Sequence, residues 1–429
     1  MNRVRHMSAL GLLCIVMLFE FMAFALLSLR DESFDPWALG FALALIVLLF
    51  LQYICLQWIS RYADRFLLVI ANLLAAIGMI VQYRLSPETA FRQLLLYGLG
   101  MVAMFVCVGL MHKPSFFQKL NWVMIVGSLA ILSVLLIIGK EQGGAKNWIT
   151  IAGFSFQPSE FVKVALVFVA ANYLTEQNGW RDWLPSALFA IFVCGILVME
   201  RDLGAALLIA GTYLIIFYTA TGDVKVTLVG LGAGCIGAVA SYFIFDHVRA
   251  RVAIWRNPWA TYETSGYQIA QGLMAIASGG IWGLGLTQGL PKSIPAYNTD
   301  YIFAVICEEF GIIFGIAVIA LYLVFIIRGA LVALYARDRY LMLVAFGCTV
   351  LITLQSFIII GGVIKLIPLT GITMPFVSHG GSSLIASMML LGILEGIAMR
   401  NGDMLEDAMD EAMERDRLAS MGKGGGHEA

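Results

Sequence analysis

Long apolar stretches broken by short polar punctuation fill the chain from residue 7 to residue 399. A membrane-spanning helix needs roughly 20 mainly apolar residues. Runs of that order lie at 7–29, 37–59, 66–83, 93–112, 120–139, 159–175, 184–199, 203–220, 226–245, 302–328, 341–362 and 382–399, which predicts twelve spans. The run at 184–199 is short, a length that suits little tilt or locally thinned lipid. The first run follows Asn2-Arg3-Val4-Arg5-His6, like the start of a signal peptide. It lacks a small-residue cleavage site and is too long for a signal h-region, so it is read as a span. Two polar segments stand apart, 140–158 and 246–301. A structureless connection of more than about 15 residues is uncommon unless it is functional. Inside the second, Ile269 to Leu290 is mildly apolar but broken by Gly272, Gly279, Gly280, Gly283, Gly285 and Gly289. That pattern fits a re-entrant or interfacial segment, and 246–301 is expected to be a non-spanning loop.

Composition agrees with this pattern. Hydrophobic residues make up 60% and charged residues 13%, against about 45–50% and 25% in soluble proteins, and the mean hydropathy is +0.88. A disordered chain and a secreted disulfide scaffold are excluded. A net charge of −1 offers no basic field for nucleic acid. The seven cysteines are scattered singly through apolar runs, without metal spacing, and read as small core or lipid-facing side chains. The fold class expected is an all-α polytopic integral membrane protein of about twelve transmembrane helices. With the N-terminus inside, short inner segments and the tail carry fifteen Lys and Arg and the short outer loops seven. That bias places both termini in the cytoplasm. The tail, 400–429, is polar and acidic; residues 404–413 could form one amphipathic helix, and the rest reads as a disordered end.

The sequence holds no GxxxxGK[ST], HExxH or GxSxG motif. Gly283-Leu-Gly285-Leu-Thr-Gln-Gly289 resembles a dinucleotide fingerprint only faintly and reads as a Gly-rich surface loop. What remains is polar chemistry gathered toward one face. Arg249, Arg251, Arg256 and Lys292 lie in the long loop and Lys140 and Lys146 in the shorter one. They are either headgroup-level surface charges or a cationic cleft for a lipid diphosphate. Asp300 stands just before the 302–328 run, either as a helix N-cap or as a general base at the mouth of that cleft. Glu308 and Glu309 lie farther along the same run, where ionisable groups face partners or a cavity. Glu160 and Lys163 are three apart, hence on one helix face and able to pair. Asp202 stands at a helix start, in Glu200-Arg201-Asp202-Leu203-Gly204. Pro368 to Pro375 and Ser378-His379-Gly380-Gly381-Ser382 precede the last span; such chemistry at membrane depth lines a cavity or is buried in protein.

These motifs resemble the SEDS (shape, elongation, division and sporulation) family of FtsW/RodA-like peptidoglycan glycosyltransferases. The resemblance is carried by Gly144-Ala145-Lys146-Asn147-Trp148-Ile149, by Phe156-Gln157-Pro158-Ser159-Glu160-Phe161-Val162-Lys163 and by Asp202-Leu203-Gly204-Ala205-Ala206. It continues in Ser265-Gly266-Tyr267-Gln268-Ile269 and Ala275-Ile276-Ala277-Ser278-Gly279-Gly280, then in Thr299-Asp300-Tyr301-Ile302-Phe303-Ala304-Val305, Glu308-Glu309-Phe310-Gly311 and the Pro368–Ser382 motifs. All occur in the family's order between about residues 66 and 399. The resemblance implies polymerisation of lipid II into glycan strands at the outer face of the bacterial cytoplasmic membrane, for division, elongation or sporulation. A class B penicillin-binding protein would be the transpeptidase partner, and a divalent cation such as Mg or Mn the cofactor expected of some members.

By the same resemblance the essential aspartate falls on Asp300, the loop Trp on Trp148 and the membrane Glu/Lys pair on Glu160 and Lys163. Further substrate contacts are expected among Lys146, Arg249, Arg251, Arg256, Lys292, Glu308, His379 and Ser382. Departures are equally plain. Two helices within residues 1–65 precede the family's ten-span core at 66–399. Ile294-Pro-Ala-Tyr-Asn-Thr-Asp300 differs from the usual stretch before the aspartate, His379 replaces a usual Tyr, and Glu200-Arg201 replaces a usual Gln-Pro. A flippase for lipid-linked precursors also needs many spans with buried charge, and a non-catalytic scaffold for a cell-wall synthase needs only the bundle. Both stay open on the sequence.

Overall fold

A computed structural model describes residues 8–30, 34–142, 145–151, 154–176 and 179–424. Arg3, Arg5 and His6 of the charge pattern, and Gly144 of the first motif, lie outside the described residues. The chain opens with α1 (Ala9–Ser28), α2 (Pro36–Ile59), α3 (Arg65–Leu85), α4 (Pro87–Met111), the short α5 (Ser115–Lys119) and α6 (Asn121–Ile138). Three strands follow, β1 (Lys140–Gln142), β2 (Ala145–Ile151) and β3 (Phe154–Phe156). Then come α7 (Ser159–Leu174), α8 (Trp180–Met199), α9 (Leu203–Thr221), α10 (Val224–Ile244), α11 (Asp246–Arg256) and α12 (Tyr267–Gly279). The chain closes with α13 (Ile302–Leu334), α14 (Arg339–Val363) and α15 (Gly381–Gly424).

Eleven helices among the described residues are long and apolar enough to cross a membrane. The protein is a polytopic helical membrane protein, as its sequence pattern predicts. The run at 159–175 is helical too, but α7 has only 16 residues, about 24 Å at 1.5 Å per residue. Strand β3 and Pro158 hold its entry out of the helix. The run at 184–199 is longer than expected, because Trp180 to Trp183 join α8 ahead of Pro185. Polar caps start most spans: Asp35 before Pro36, Asp64, Ser86 before Pro87, Asp223 and Asp338 each accept a hydrogen bond from a first-turn N–H. Within the described residues the tail is one long helix instead of a short one. Helix α15 runs on to Gly424, and Glu406 on it accepts hydrogen bonds from Arg61 and Tyr62.

Helices α3, α14 and the apolar part of α15 make the centre of the bundle, mostly buried, whereas the most apolar window of α10 has no buried residue. The N-terminal pair packs on this centre. Phe24 and Phe41 meet Tyr83 at ring distances of 5.4 and 5.2 Å, and the Tyr97 hydroxyl reaches Gln52 at 2.7 Å and Asn72 at 2.9 Å.

Two connections carry more structure than their polarity suggests. β1, β2 and β3 form a three-stranded antiparallel sheet in that order; the segment expected as a loop carries strands because Trp148-Ile-Thr-Ile151 and Phe154-Ser-Phe156 are rich in β-formers. The 246–301 segment contributes α11 and α12, neither of them among the helices long and apolar enough to cross a membrane, with α12 packed along the first part of α13.

Helix α13 is broken. Gly311 has φ 86° and ψ 169° inside it, so Ile302–Phe310 and the residues from Ile312 are separate helical pieces. At such a break the carbonyls of one piece and the N–H groups of the next lose their partners. Here the 280–285 loop supplies them. Leu284 and Gly285 N–H donate to the Glu308 and Glu309 carbonyls, both at 2.9 Å, and Ile312 and Ile313 N–H donate to the Gly280 and Ile281 carbonyls at 3.0 and 3.4 Å. A Cβ on Gly311 would lie 2.4 Å from Gly283 N and from Ile281 O, which explains glycine here. Non-helical backbone at membrane depth is tolerated when protein satisfies it in this way.

Candidate functional site

The break in α13 brings its first piece and the preceding turn, 296–301, against the segment 368–380. Three hydrogen bonds fix that turn. The Ser378 hydroxyl donates to the Thr299 carbonyl at 2.6 Å. The His379 N–H and the Gln82 side chain donate to the Asn298 carbonyl, each at 2.9 Å. Asp300 is therefore held from α3 and from the 368–380 segment at once. It does not cap α13: the N-cap position is Tyr301, with no side-chain cap bond. Burial pushes the Asp300 carboxyl up to about 6, while a Thr299 hydrogen bond and the Arg251 charge pull the other way.

Asp300 lines a cleft of about 1050 Å³. Of the residues singled out in the sequence, Trp148, Glu160, Lys163, Arg251, His379 and Ser382 line it as well. Strand β2 presents Trp148, α7 presents Glu160 and Lys163, and α11 presents Arg251. Ser382, in the first turn of α15, accepts the Gln157 N–H at 2.9 Å. The His379 ring is kept below the ordinary imidazole range by burial and then by Arg92, so it is neutral near pH 7. One wall of the cleft is apolar, formed by Leu95, Leu96, Leu99 and Ile385.

The buried pair predicted from spacing is present: Lys163 Nζ lies 2.7 Å from Glu160 Oε2. Lys163 also donates to Gln355 at 3.2 Å, Gln355 to the Thr373 carbonyl at 2.8 Å, and Thr373 to Ser383 at 2.5 Å. This chain of bonds ties α7, α14, the 368–380 segment and α15 together behind the cleft.

Five expected contacts lie elsewhere. Lys146 is exposed on β2, with its N–H on the Glu200 carbonyl at 2.9 Å. Arg249 pairs with Asp246 on the outside of α11. Arg256 and Lys292 are exposed. Glu308 is buried away from the cleft and accepts the Leu290 N–H at 3.0 Å, fastening the segment that leads back to Asp300. Glu309 does the same through Arg84, at 3.1 Å, which also binds the Thr287 and Gly289 carbonyls.

Other cleft residues carried no substrate role in the sequence reading. Arg92 and Arg201 read only as outer-loop charges, yet both line the cleft. Asp202 caps α9 through Ala205 N–H at 3.0 Å and accepts from Asn147 at 2.6 Å and Gln157 at 3.3 Å. Among the described residues no three His, Cys, Asp or Glu side chains converge on a possible metal position. With Asp202 already engaged, the cleft does not fit a metal centre built from protein ligands alone.

Known proteins share this architecture. Peptidoglycan glycosyltransferase RodA of Mycobacterium tuberculosis is 34% identical over 424 aligned residues, covering 92% of this chain and 90% of that protein. Stage V sporulation protein E of Bacillus subtilis is 35% identical over 357 residues, covering 78% of this chain and 96% of that protein. A solved chain from a peptidoglycan synthase complex that coordinates polymerization and crosslinking superposes with a TM-score of 0.69 at 25% identity, over 79% of this chain and 98% of that one. The crystal structure of Thermus thermophilus rod shape determining protein RodA gives 0.59 at 25% identity, over 78% and 96%. The FtsW/RodA/SpoVE profile, described as a cell cycle protein family, matches residues 64–402. With a profile spanning most of its length and curated relatives above 30% identity, the chain belongs to the FtsW/RodA/SpoVE family.

Proposed function

We propose that the chain is a peptidoglycan glycosyltransferase that polymerises lipid II into glycan strands, with the cleft at the outer face of the bacterial cytoplasmic membrane and both termini in the cytoplasm. The observation that carries this reading is the half-buried carboxylate Asp300, on a turn fixed by hydrogen bonds from α3 and the 368–380 segment, in a cleft of about 1050 Å³ with one apolar wall. The apolar wall suits a polyprenyl chain, and the polar remainder suits sugars and a diphosphate.

Lipid II carries its sugar as an α-linked diphosphate, and the polymer linkage is β. One inverting displacement makes the bond from the acceptor 4-oxygen to C1 and breaks the bond from C1 to the diphosphate oxygen. The acceptor proton passes to Asp300, and the electron pair leaves with the diphosphate. A positioned base contributes about 10²- to 10⁴-fold. Arg251 is placed to stabilise the departing charge, while Trp148, His379 and Ser382 shape the walls around the sugars. The Glu160–Lys163 pair acts behind them, holding the 368–380 segment through Gln355 and Thr373. Mg is ordinarily held by one or two carboxylates together with substrate phosphates. The Mg or Mn expected of the family would therefore be held mainly through the substrate's own diphosphate. A class B penicillin-binding protein would supply transpeptidation beside the chain.

The test is polymerisation of labelled lipid II by the purified full-length protein, wild type beside Asp300→Ala, with and without the cognate transpeptidase. Glycan from wild type alone supports the activity and its base. Normal glycan from Asp300→Ala refutes the assignment of the base. No glycan under any condition, with outward movement of labelled lipid II in liposomes, would replace the polymerase by a flippase.

A further inference from the structure

The turn between α8 and α9 presents a cation, Arg201, that takes no part in the displacement at Asp300. Arg201 adopts a φ of 64°, a left-handed conformation that disfavours any side chain beyond glycine. Backbone hydrogen bonds enforce it: Arg201 N–H to the Val198 carbonyl at 3.1 Å, Asp202 N–H to Leu197 at 2.9 Å, and Lys146 N–H to Glu200 at 2.9 Å. In this conformation the two neighbouring side chains part. Arg201 lines the cleft, whereas Glu200 is fully buried with neither carboxyl oxygen partnered. Burial, with Asp202 beside it, pushes the Glu200 carboxyl up to about 8. Glu200 is therefore mostly uncharged at pH 7 and leaves the Arg201 charge standing.

Arg251 faces the same cleft from α11, with a single hydrogen bond to the Thr370 carbonyl at 3.3 Å. Among the described residues neither guanidinium pairs with a carboxylate. His247, one turn before Arg251, is near enough to both that burial, Arg251 and Arg201 together hold its imidazole low. Its Nε2 is buried without a partner. Like charges gathered in a partly dry cleft repel one another unless an anion joins them. Two planar forks on different elements match the several oxygens of a diphosphate better than a lone carboxylate.

We propose that Arg201, set beside Arg251, is a specificity-determining contact for the diphosphate of the lipid-linked substrate. The proposal rests on the reading of the cleft as a glycosyltransferase site and extends it to a residue outside the helix that carries Arg251.

The experiment measures farnesyl diphosphate and farnesyl monophosphate binding to the detergent-solubilised full-length protein by calorimetry, and lipid II polymerisation in parallel. Arg201→Gln should weaken farnesyl diphosphate about tenfold or more, the size of one charge-assisted contact, and the monophosphate less. The KM for lipid II should rise with kcat largely kept, and Arg201→Lys should fall between. Arg201→Gly removes the guanidinium and relieves the left-handed backbone. It should lose the same affinity while melting no lower than wild type, which a merely structural arginine would not do. Unchanged farnesyl diphosphate binding in Arg201→Gln overturns the proposal. If wild type binds the diphosphate through Arg201 yet makes no glycan, the contact stands and the polymerase reading fails. Glycan formation with binding indifferent to Arg201 means the reverse.

Discussion

Asp300 is raised to about 6 from an ordinary 3.8, and the two ends of that shift make separate predictions. As a base it works ionised, so kcat/KM should fall about tenfold per pH unit below 6, read from a pH–rate profile. As part of the fold it is a burden above that pH: the folded state binds the proton more tightly, so its stability declines as pH rises from about 4 to 6. Asp300→Asn should therefore melt higher than wild type at pH 7.5 while losing activity. The Glu160–Lys163 pair behaves oppositely. Both side chains are nearly inaccessible, so Glu160→Gln or Lys163→Met alone should cost about 3–5 kcal/mol by stranding a buried charge. The double variant should recover much of that loss, as a double-mutant cycle of thermal unfolding would show. At this scale the sequence was most legible where motif and spacing agreed, at Asp300, Glu160 and Lys163. It misled where sign alone was read. Arg249 and Arg251 are two residues apart, so on α11 they point about 200° apart, and only one can face the cleft. Arg201 was hidden for another reason: its direction depends on a backbone angle that no residue type announces.

Helices follow from apolar runs so directly that most spans are visible in the sequence. What runs do not reveal is a break inside one of them. Residues 302–328 read as a single span, and Gly311 looks like any membrane glycine until the loop at 280–285 is placed against it. Gly311→Ala and Gly283→Ala should each destabilise strongly, since φ is 86° and 84° and the nearest backbone atoms would stand 2.4 and 2.3 Å from the new Cβ. Gly232→Ala in α10, where a Cβ meets nothing within 4 Å, should instead be neutral or stabilising by about 0.5–1 kcal/mol. Melting curves of the three variants in detergent would test both halves. The sheet at 140–156 was legible in principle, from its β-branched and aromatic residues, but its glycines and short length read as loop.

For the molecule as a whole, α1 and α2 are built into the bundle through Phe24, Phe41 and the Gln52–Tyr97 bond, yet neither helix contributes a residue to the cleft lining. A chain lacking residues 1–60 should melt lower and keep its specific activity per folded molecule, which melting and polymerisation assays together can separate. The family profile begins at residue 64. The mycobacterial relative covers 92% of this chain, more than the profile's span, so part of what lies outside that span is shared beyond this protein. The broken helix, finally, has a meaning in time. Amides in a glycine-rich connection ordinarily trade their hydrogens for deuterium quickly, because they open without disturbing anything else. Leu284 and Gly285 cannot open alone: releasing them uncovers the end of one helical piece of α13, just as releasing Ile312 and Ile313 uncovers the start of the other. In an exchange experiment these four amides should keep pace with the slow interior of α3 and α14, and a stretch written like a surface loop would be among the last parts of the protein to let go.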